Sequence, residues 1–223
     1  MVSGNTMSGK SSLTRLLTQD PKVVLLNETY TEPNRFLPLF IHKMLRNGLK
    51  YNEFAYGAQL LFLQNRSNRE REVTDPGEFY LLDRSIYEDR HIFAKFFAMK
   101  GVMSNDEYND YRNLFEKIVR TIDPPDCFIF LDSDPKQCYQ RLKSRSKRID
   151  QWLTQDILVD LDKLYKHRLR ERIVLHNSDV QIIELDVDKY PSFEVAGEIV
   201  RERLEELYGE AFAKDASKRQ IKV

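Results

Sequence analysis

The stretch Gly4-Asn-Thr-Met-Ser-Gly9-Lys10-Ser11 fits the pattern G-x-x-x-x-G-K-[ST], and it restricts what the chain can fold into more than any other feature. Phosphate oxygens need several N–H donors converging on one point. A glycine-rich turn that enters a helix N-terminus supplies them, together with the positive end of the helix dipole. Such a loop is fed by a strand and followed by a helix. Only Met1-Val2-Ser3 precedes it here, and at about 3.3 Å per residue those three residues span ~10 Å. The expectation is a short, partly frayed central strand, or one that lacks residues.

The rest of the chain supplies the context for such a loop. Val23-Val-Leu-Leu-Asn-Glu28, Phe79-Tyr-Leu-Leu-Asp83, Cys127-Phe-Ile-Phe-Leu-Asp132 and Val180-Gln-Ile-Ile-Glu-Leu185 are short, nearly continuous apolar runs with acids at or near their ends. That is the pattern of parallel strands covered on both faces, and the carboxyl ends of such strands are where open α/β sheets carry ligand sites. Between the runs, helical periodicity predicts helices at 11–19, 35–47, 52–73, 85–99, 104–122, 135–146, 154–177 and 192–208. Asp75-Pro-Gly77 and Asp123-Pro-Pro125 punctuate the chain just before two of the strands. The prediction is one α/β domain over 1–223, a doubly wound parallel sheet of about five strands flanked by helices. A charged tail from about 211 is expected to be frayed.

Composition narrows the function classes. Lys+Arg and Asp+Glu are equal at 35 each, whereas a general nucleic-acid or anionic-membrane binder usually carries a basic excess. Cys127 and Cys138 are too few for a disulfide framework and lack metal-ligand spacing. No apolar run approaches a membrane span and no secretory signal is visible. A cytoplasmic protein is expected, without nucleic-acid or membrane partners.

Chemistry concentrates in a few places. Gly4, Asn5, Thr6, Met7, Ser8, Gly9, Lys10, Ser11 and Ser12 would cradle a nucleotide, with Lys10 reaching the β and γ phosphates and the Ser11 hydroxyl binding Mg2+. Asp83-Arg84-Ser85, where a strand passes into a helix, offers a carboxylate for Mg2+, directly or through water, and a guanidinium for the transferring phosphoryl group. The plainer reading is a helix cap at Asp83 and a surface ion pair at Arg84. Gln59 and Arg66 are seven residues apart and share one face of the long helix. Arg141-Leu-Lys-Ser-Arg145-Ser-Lys147-Arg148-Ile-Asp150 is either a solvated cationic face or a lid that closes over phosphates.

Taken in order, the phosphate loop, Glu28, Gln59 with Arg66, Asp83-Arg84-Ser85 with Asp89, and Arg141 to Asp150 resemble the deoxynucleoside kinase family. The resemblance covers most of the chain. It implies a P-loop fold in which ATP gives its γ-phosphoryl group to the 5′-hydroxyl of a deoxynucleoside, with Mg2+ as cofactor and a homodimer as the usual assembly. It makes Glu28 the general base, with Glu32 the competing acid, and lets Gln59 read the base edge. Arg66 with Asp89 resembles the pair of kinases that take deoxyadenosine, deoxyguanosine or deoxycytidine, and argues against thymidine. Arg141 and Arg145 match lid arginines over a lid of about 141–152, while Lys147 stands where arginine is common and stays unassigned with Arg148. Asp150 matches an acid on the 3′-hydroxyl, for which Tyr51 and Tyr56 are weaker candidates. The aromatic residues Phe93, Phe96, Phe97 and Trp152 read as helical core.

Two alternatives stay open. A nucleoside monophosphate kinase shares the loop, the D-R strand end and the arginine lid, but needs cations where Glu28 stands. A nucleotide-binding switch without turnover would carry a guanine-reading N-K-x-D motif if it were a GTPase, and the chain has none.

Overall fold

The computed structural model describes residues 1–26, 34–73, 78–145, 150–171 and 180–213. The apolar runs form β1 (Val2–Gly4), β2 (Val23–Leu26), β3 (Phe79–Leu82), β4 (Cys127–Asp132) and β5 (Gln181–Asp186). β4 shows why such runs lack polar alternation. Its Phe128 and Phe130 enter the apolar cluster on one face of the sheet, and its Cys127, Ile129 and Leu131 enter the cluster on the other.

Every strand pairing is parallel, β2 with β3 and β1-β4-β5 in a row. A parallel bridge between Val2 and Asp83 joins the two groups, and the Arg84 N–H donates to the Val2 carbonyl at 3.1 Å. The order across the five strands is therefore β2-β3-β1-β4-β5. The central β1 is short, as the sequence predicts, but it is not frayed. Its three residues are buried and in register with Ile129, Phe130 and Leu131. Support from β4 along its whole length and from β3 at Val2 holds so short a strand in place.

The helices are α1 (Lys10–Leu17), α2 (Phe36–Asn47), α3 (Ala55–Glu70), α4 (Ile86–Glu88), α5 (Lys95–Met99), α6 (Asn105–Val119), α7 (Pro135–Arg145), α8 (Gln155–Glu171) and α9 (Phe193–Ala213). α1 and α9 cover one face of the sheet through Leu13, Leu17, Val200 and Leu204, and α3, α6 and α8 cover the other through Leu63, Phe115 and Leu161. Ser104 and Glu107 start α6 with a reciprocal cap between side chain and backbone.

The stretch 85–99, predicted as one regular helix, is interrupted by a π-helical turn over Asp89–Ala94. A turn that closes i→i+5 rotates less per residue, so residues four apart stay aligned, and such turns gather at functional sites. Asp89 and Phe93 both face the same cavity. No helix among the described residues is long and apolar enough to cross a membrane.

Candidate active site

The phosphate loop leaves the carboxyl end of β1 and runs straight into α1. Gly4 and Gly9 have positive φ, 143° and 97°. A Cβ at Gly4 would lie 2.6 Å from the Leu131 carbonyl oxygen, and one at Gly9 would enter the Phe193 ring. Met7 also sits in the left-handed region at φ 68°, at a cost of ~1 kcal/mol for an L side chain. Asn5 anchors the loop from behind: its side-chain amide donates to the Leu158 carbonyl of α8 at 2.7 Å, and its side-chain oxygen accepts from the Thr6 N–H at 2.8 Å. Of the predicted loop residues, Thr6, Met7, Gly9, Lys10, Ser11 and Ser12 line the cavity; Gly4, Asn5 and Ser8 do not.

Lys10 is buried and folds back so that its Nζ donates to the Gly4 and Asn5 carbonyls at 2.6 and 2.7 Å. Burial, reinforced by the nearby Arg84 guanidinium, brings its pKa down to about 7. The Ser11 hydroxyl donates to Asp83 Oδ2 at 3.0 Å, and Asp83 Oδ1 is buried with no hydrogen-bond partner. A hydroxyl beside a carboxylate with an unspent oxygen is the hard oxygen set that Mg2+ prefers, so these residues fit that ion. Asp83 is not the helix cap. Ser85 takes that role, its hydroxyl accepting the Glu88 N–H at 3.4 Å.

Arg84 has φ 64° and faces the cavity instead of making a surface ion pair. Its guanidinium lies over the Phe93 ring, 4.8 Å from the centroid, and donates to Glu88 Oε1 at 3.3 Å. Tyr165 of α8 donates to the same Glu88 oxygen at 2.5 Å. Burial disfavours the Arg84 cation, but Tyr165, Glu88 and Asp83 outweigh that and hold it protonated.

The far end of the cavity is built for a flat, partly polar ligand. Arg66 on α3 pairs with Asp89, and both side chains are almost completely buried. The Arg66 guanidinium also lies over Phe62, 5.0 Å from its centroid. Gln59, one face of α3 along, is buried with its Oε1 lacking a hydrogen-bond partner. Leaving a buried amide oxygen unpaired costs ~1–3 kcal/mol, which a hydrogen-bonding ligand would recover. Asp150 lines the cavity as well. The cavity volume of about 510 Å3 is in the range of small-molecule sites.

Arg141 and Arg145, the arginines expected in a lid, sit in the second half of α7. Arg141 donates to the Met7 carbonyl at 3.3 Å and to Ser133 Oγ at 2.9 Å, and forms an ion pair with Asp188 at 2.6 Å. Arg145 approaches Met7 Sδ at 3.6 Å. Glu28, its competitor Glu32, Lys147 and Arg148 lie outside the described residues. Tyr51 and Tyr56 turn away from the cavity, bonding instead to Glu107 and Asp110 of α6.

Phe93, Phe96, Phe97 and Trp152 read from the sequence as helical core: Phe96 and Phe97 are buried in it, Phe93 and Trp152 pack half-buried against it, and Phe93, Phe97 and Trp152 also line the cavity with Phe40, Ile41 and Phe62. The one signal that could have separated Phe93 was its position four residues after Asp89. Sequence reasoning passed over Arg69, Glu70, Glu88 and Tyr165, whose side chains are buried around the Asp83-Arg84-Ser85 turn.

Comparison with known proteins gives this geometry a family. The chain is 32% identical over 151 residues to the deoxyadenosine/deoxycytidine kinase of Bacillus subtilis, covering 67% of this chain and 66% of that one. It is 33% identical over 142 residues to a deoxyguanosine kinase of Dictyostelium discoideum, covering 64% and 45%. The matches thus span between just under half and about two thirds of those relatives' lengths. Among solved structures, deoxyadenosine kinase from M. mycoides with bound dATP superposes with a TM-score of 0.73 at 18% identity, covering 92% of this chain and 97% of that one. The profile of the deoxynucleoside kinase family matches residues 1–208, and the chain belongs to that family.

Proposed function

We propose that the protein transfers the γ-phosphoryl group of ATP to the 5′-hydroxyl of deoxyadenosine, deoxyguanosine or deoxycytidine. One observation carries the reading. A single cavity holds the Ser11–Asp83 pair, Lys10 and Arg84 at one end and the buried Arg66–Asp89 pair with Gln59 at the other. The relatives in Bacillus subtilis and Dictyostelium discoideum, named for these nucleosides, support it, and so do M. mycoides structures solved with dATP and dCTP.

In this mechanism Lys10 leaves the loop carbonyls for the β and γ phosphates, and the loop amides hold the remaining oxygens. Ser11 and Asp83 would hold Mg2+, which when bound would neutralise charge on the phosphate oxygens. Glu28 takes the proton of the 5′-hydroxyl as its oxygen bonds to the γ phosphorus. The bond from that phosphorus to the β-bridging oxygen breaks, and ADP leaves. Arg84, Arg141 and Arg145 face the equatorial oxygens of the transferring group. Gln59 and the Arg66–Asp89 pair present hydrogen-bond partners to the base, and Asp150 accepts from the sugar 3′-hydroxyl. One domain and a homodimer complete the proposal, on the family resemblance; light scattering of the purified chain measures the latter.

The decisive assay offers the four deoxynucleosides and their monophosphates with MgATP to the parent protein and to Glu28→Gln. Turnover of purine or cytosine deoxynucleosides is expected, falling ~10²–10⁴-fold in the variant. Turnover of monophosphates alone would make the chain a nucleotide kinase, a preference for thymidine would refute the Arg66–Asp89 argument, and full activity of Glu28→Gln would remove the base.

A further inference from the structure

We propose that Arg69 and Glu70 are positioning residues for phosphoryl transfer, holding the turn Asp83-Arg84-Ser85 in the one backbone conformation that aims Asp83 at Ser11 and Arg84 into the cavity. The inference rests on the phosphoryl-transfer reading above for its catalytic consequence, but not for its geometry.

The turn needs such a device. Arg84 is a non-glycine residue in the left-handed region, a conformation that persists only where the surroundings over-determine it. Both carbonyls that flank its Cα are engaged by one buried side chain, since Arg69 donates through Nη1 to the Asp83 oxygen at 3.1 Å and through Nη2 to the Arg84 oxygen at 2.6 Å. The next residue of α3 grips the other side of the turn: Glu70 Oε1 accepts the Ile86 N–H, at the start of α4, at 3.0 Å. The Arg84 N–H donates to β1. Peptide groups on both sides of Arg84 are thereby fixed, and the main lever is two adjacent residues of one helix.

Burying an arginine and a glutamate is costly, and Arg69 and Glu70 are only 2% and 5% exposed. A turn that merely joined a strand to a helix could be solvated at its carbonyls instead. α3 also carries Gln59 and Arg66, so the groups facing the acceptor's base and the clamp on the transfer turn stand on one rigid element. From Gln59 to Glu70 that helix spans roughly 16 Å. The distance from base reader to metal carboxylate is then set by a single helix, without a flexible joint.

The test uses the full chain, with Arg69→Lys, Glu70→Gln and Glu70→Leu, and two readouts. Lysine keeps the charge of Arg69 but cannot reach two carbonyls at once; glutamine keeps the acceptor of Glu70, and leucine removes it. In steady-state kinetics, Arg69→Lys and Glu70→Leu should lose about tenfold to a hundredfold in kcat, with KM for the deoxynucleoside within about twofold. Glu70→Gln should restore most of the loss. In calorimetric titrations, ATP binding without metal should match the parent in all variants, because the phosphate loop is untouched. The gain in affinity that Mg2+ brings should disappear in Arg69→Lys and Glu70→Leu, because Asp83 no longer faces Ser11.

An unchanged Mg2+-dependent gain in folded Arg69→Lys and Glu70→Leu would overturn the proposal. So would losses spread equally over kcat and both KM values, in step with a fall in melting temperature. Should Arg69→Lys fail to fold, Glu70→Leu carries both readouts alone. If the parent turns over no nucleoside, the proposed activity falls while the metal-dependent binding still decides the positioning.

Discussion

Lys10, Gln59 and Glu70 are buried, and Asp83 buries its Oδ1, with part of their hydrogen-bonding or charge capacity unspent, and that shared condition makes strong predictions at the scale of single residues. Asp83→Asn should leave the fold intact but lower kcat by ~10²–10³, with a raised Mg2+ requirement in a metal titration. Arg66→Leu would leave the Asp89 carboxylate buried without its guanidinium, a loss of ~3–5 kcal/mol that urea denaturation would register. Glu70 gives a pH signature. Burial raises its pKa from 4.5 to about 7, against a smaller opposing contribution from the Ile86 N–H. Between those values the native state binds a proton that the unfolded chain has released, so this group's contribution to stability falls as pH rises through that window. The difference approaches ~3 kcal/mol at about 1.4 kcal/mol per pH unit. Glu70→Gln should therefore raise the melting temperature at pH 8 but scarcely at pH 4.5, as differential scanning calorimetry can check; a gain that is equal at both pH values would contradict the assignment.

Elements show how far local pattern reaches. Four apolar runs read as strands fall on β2 to β5, their ends marked by Asp or Pro-rich turns; β4, buried on both faces, has no alternation to lose, whereas β5 at the end of the row leaves Gln181 and Glu184 exposed. The helix over 85–99 was legible as helical, but its π turn was not, since nothing in Asp89-Arg-His-Ile-Phe-Ala94 differs in composition from a regular helix. The glycines separate two kinds of constraint. Gly9→Ala would force a Cβ into the Phe193 ring, displacing that residue from the loop. Gly48→Ala, at φ 66° and ψ −152° with open space around it, meets no neighbour and should cost only the ~1–3 kcal/mol of a backbone conformation that favours glycine. Calorimetric titration of MgATP should show lost binding in the first variant and parental binding in the second.

Across the whole molecule, one rim collects the loop after β1, the turn after β3 and Ser133 after β4, because all five strands are parallel and their carboxyl ends point the same way. A ligand that bridges these loops binds the native state alone and stabilises it by mass action. MgATP at about a hundred times its Kd should add ~2.7 kcal/mol, visible as a rise in melting temperature, and a deoxynucleoside should add to it. No added effect of the nucleoside would argue against a two-substrate cavity.

Sequence alone determined the phosphate-loop motif, the parallel α/β architecture and that Lys10, Ser11, Asp83 and Arg84 would meet at one site, because these depend on local spacing and on the period of apolar residues. Tertiary structure decided the rest. Three residues made a sound central strand only through their neighbours β3 and β4. Phe93 and Trp152 became half-buried cavity walls and Phe97 serves core and cavity at once, since an aromatic side chain is equally apolar in either place. Arg69 and Glu70, which no motif singles out, became buried side chains that hold the backbone of the Asp83-Arg84-Ser85 turn. Which charge is buried and what it holds depends on contacts between residues far apart in the chain, and local pattern carries no record of those.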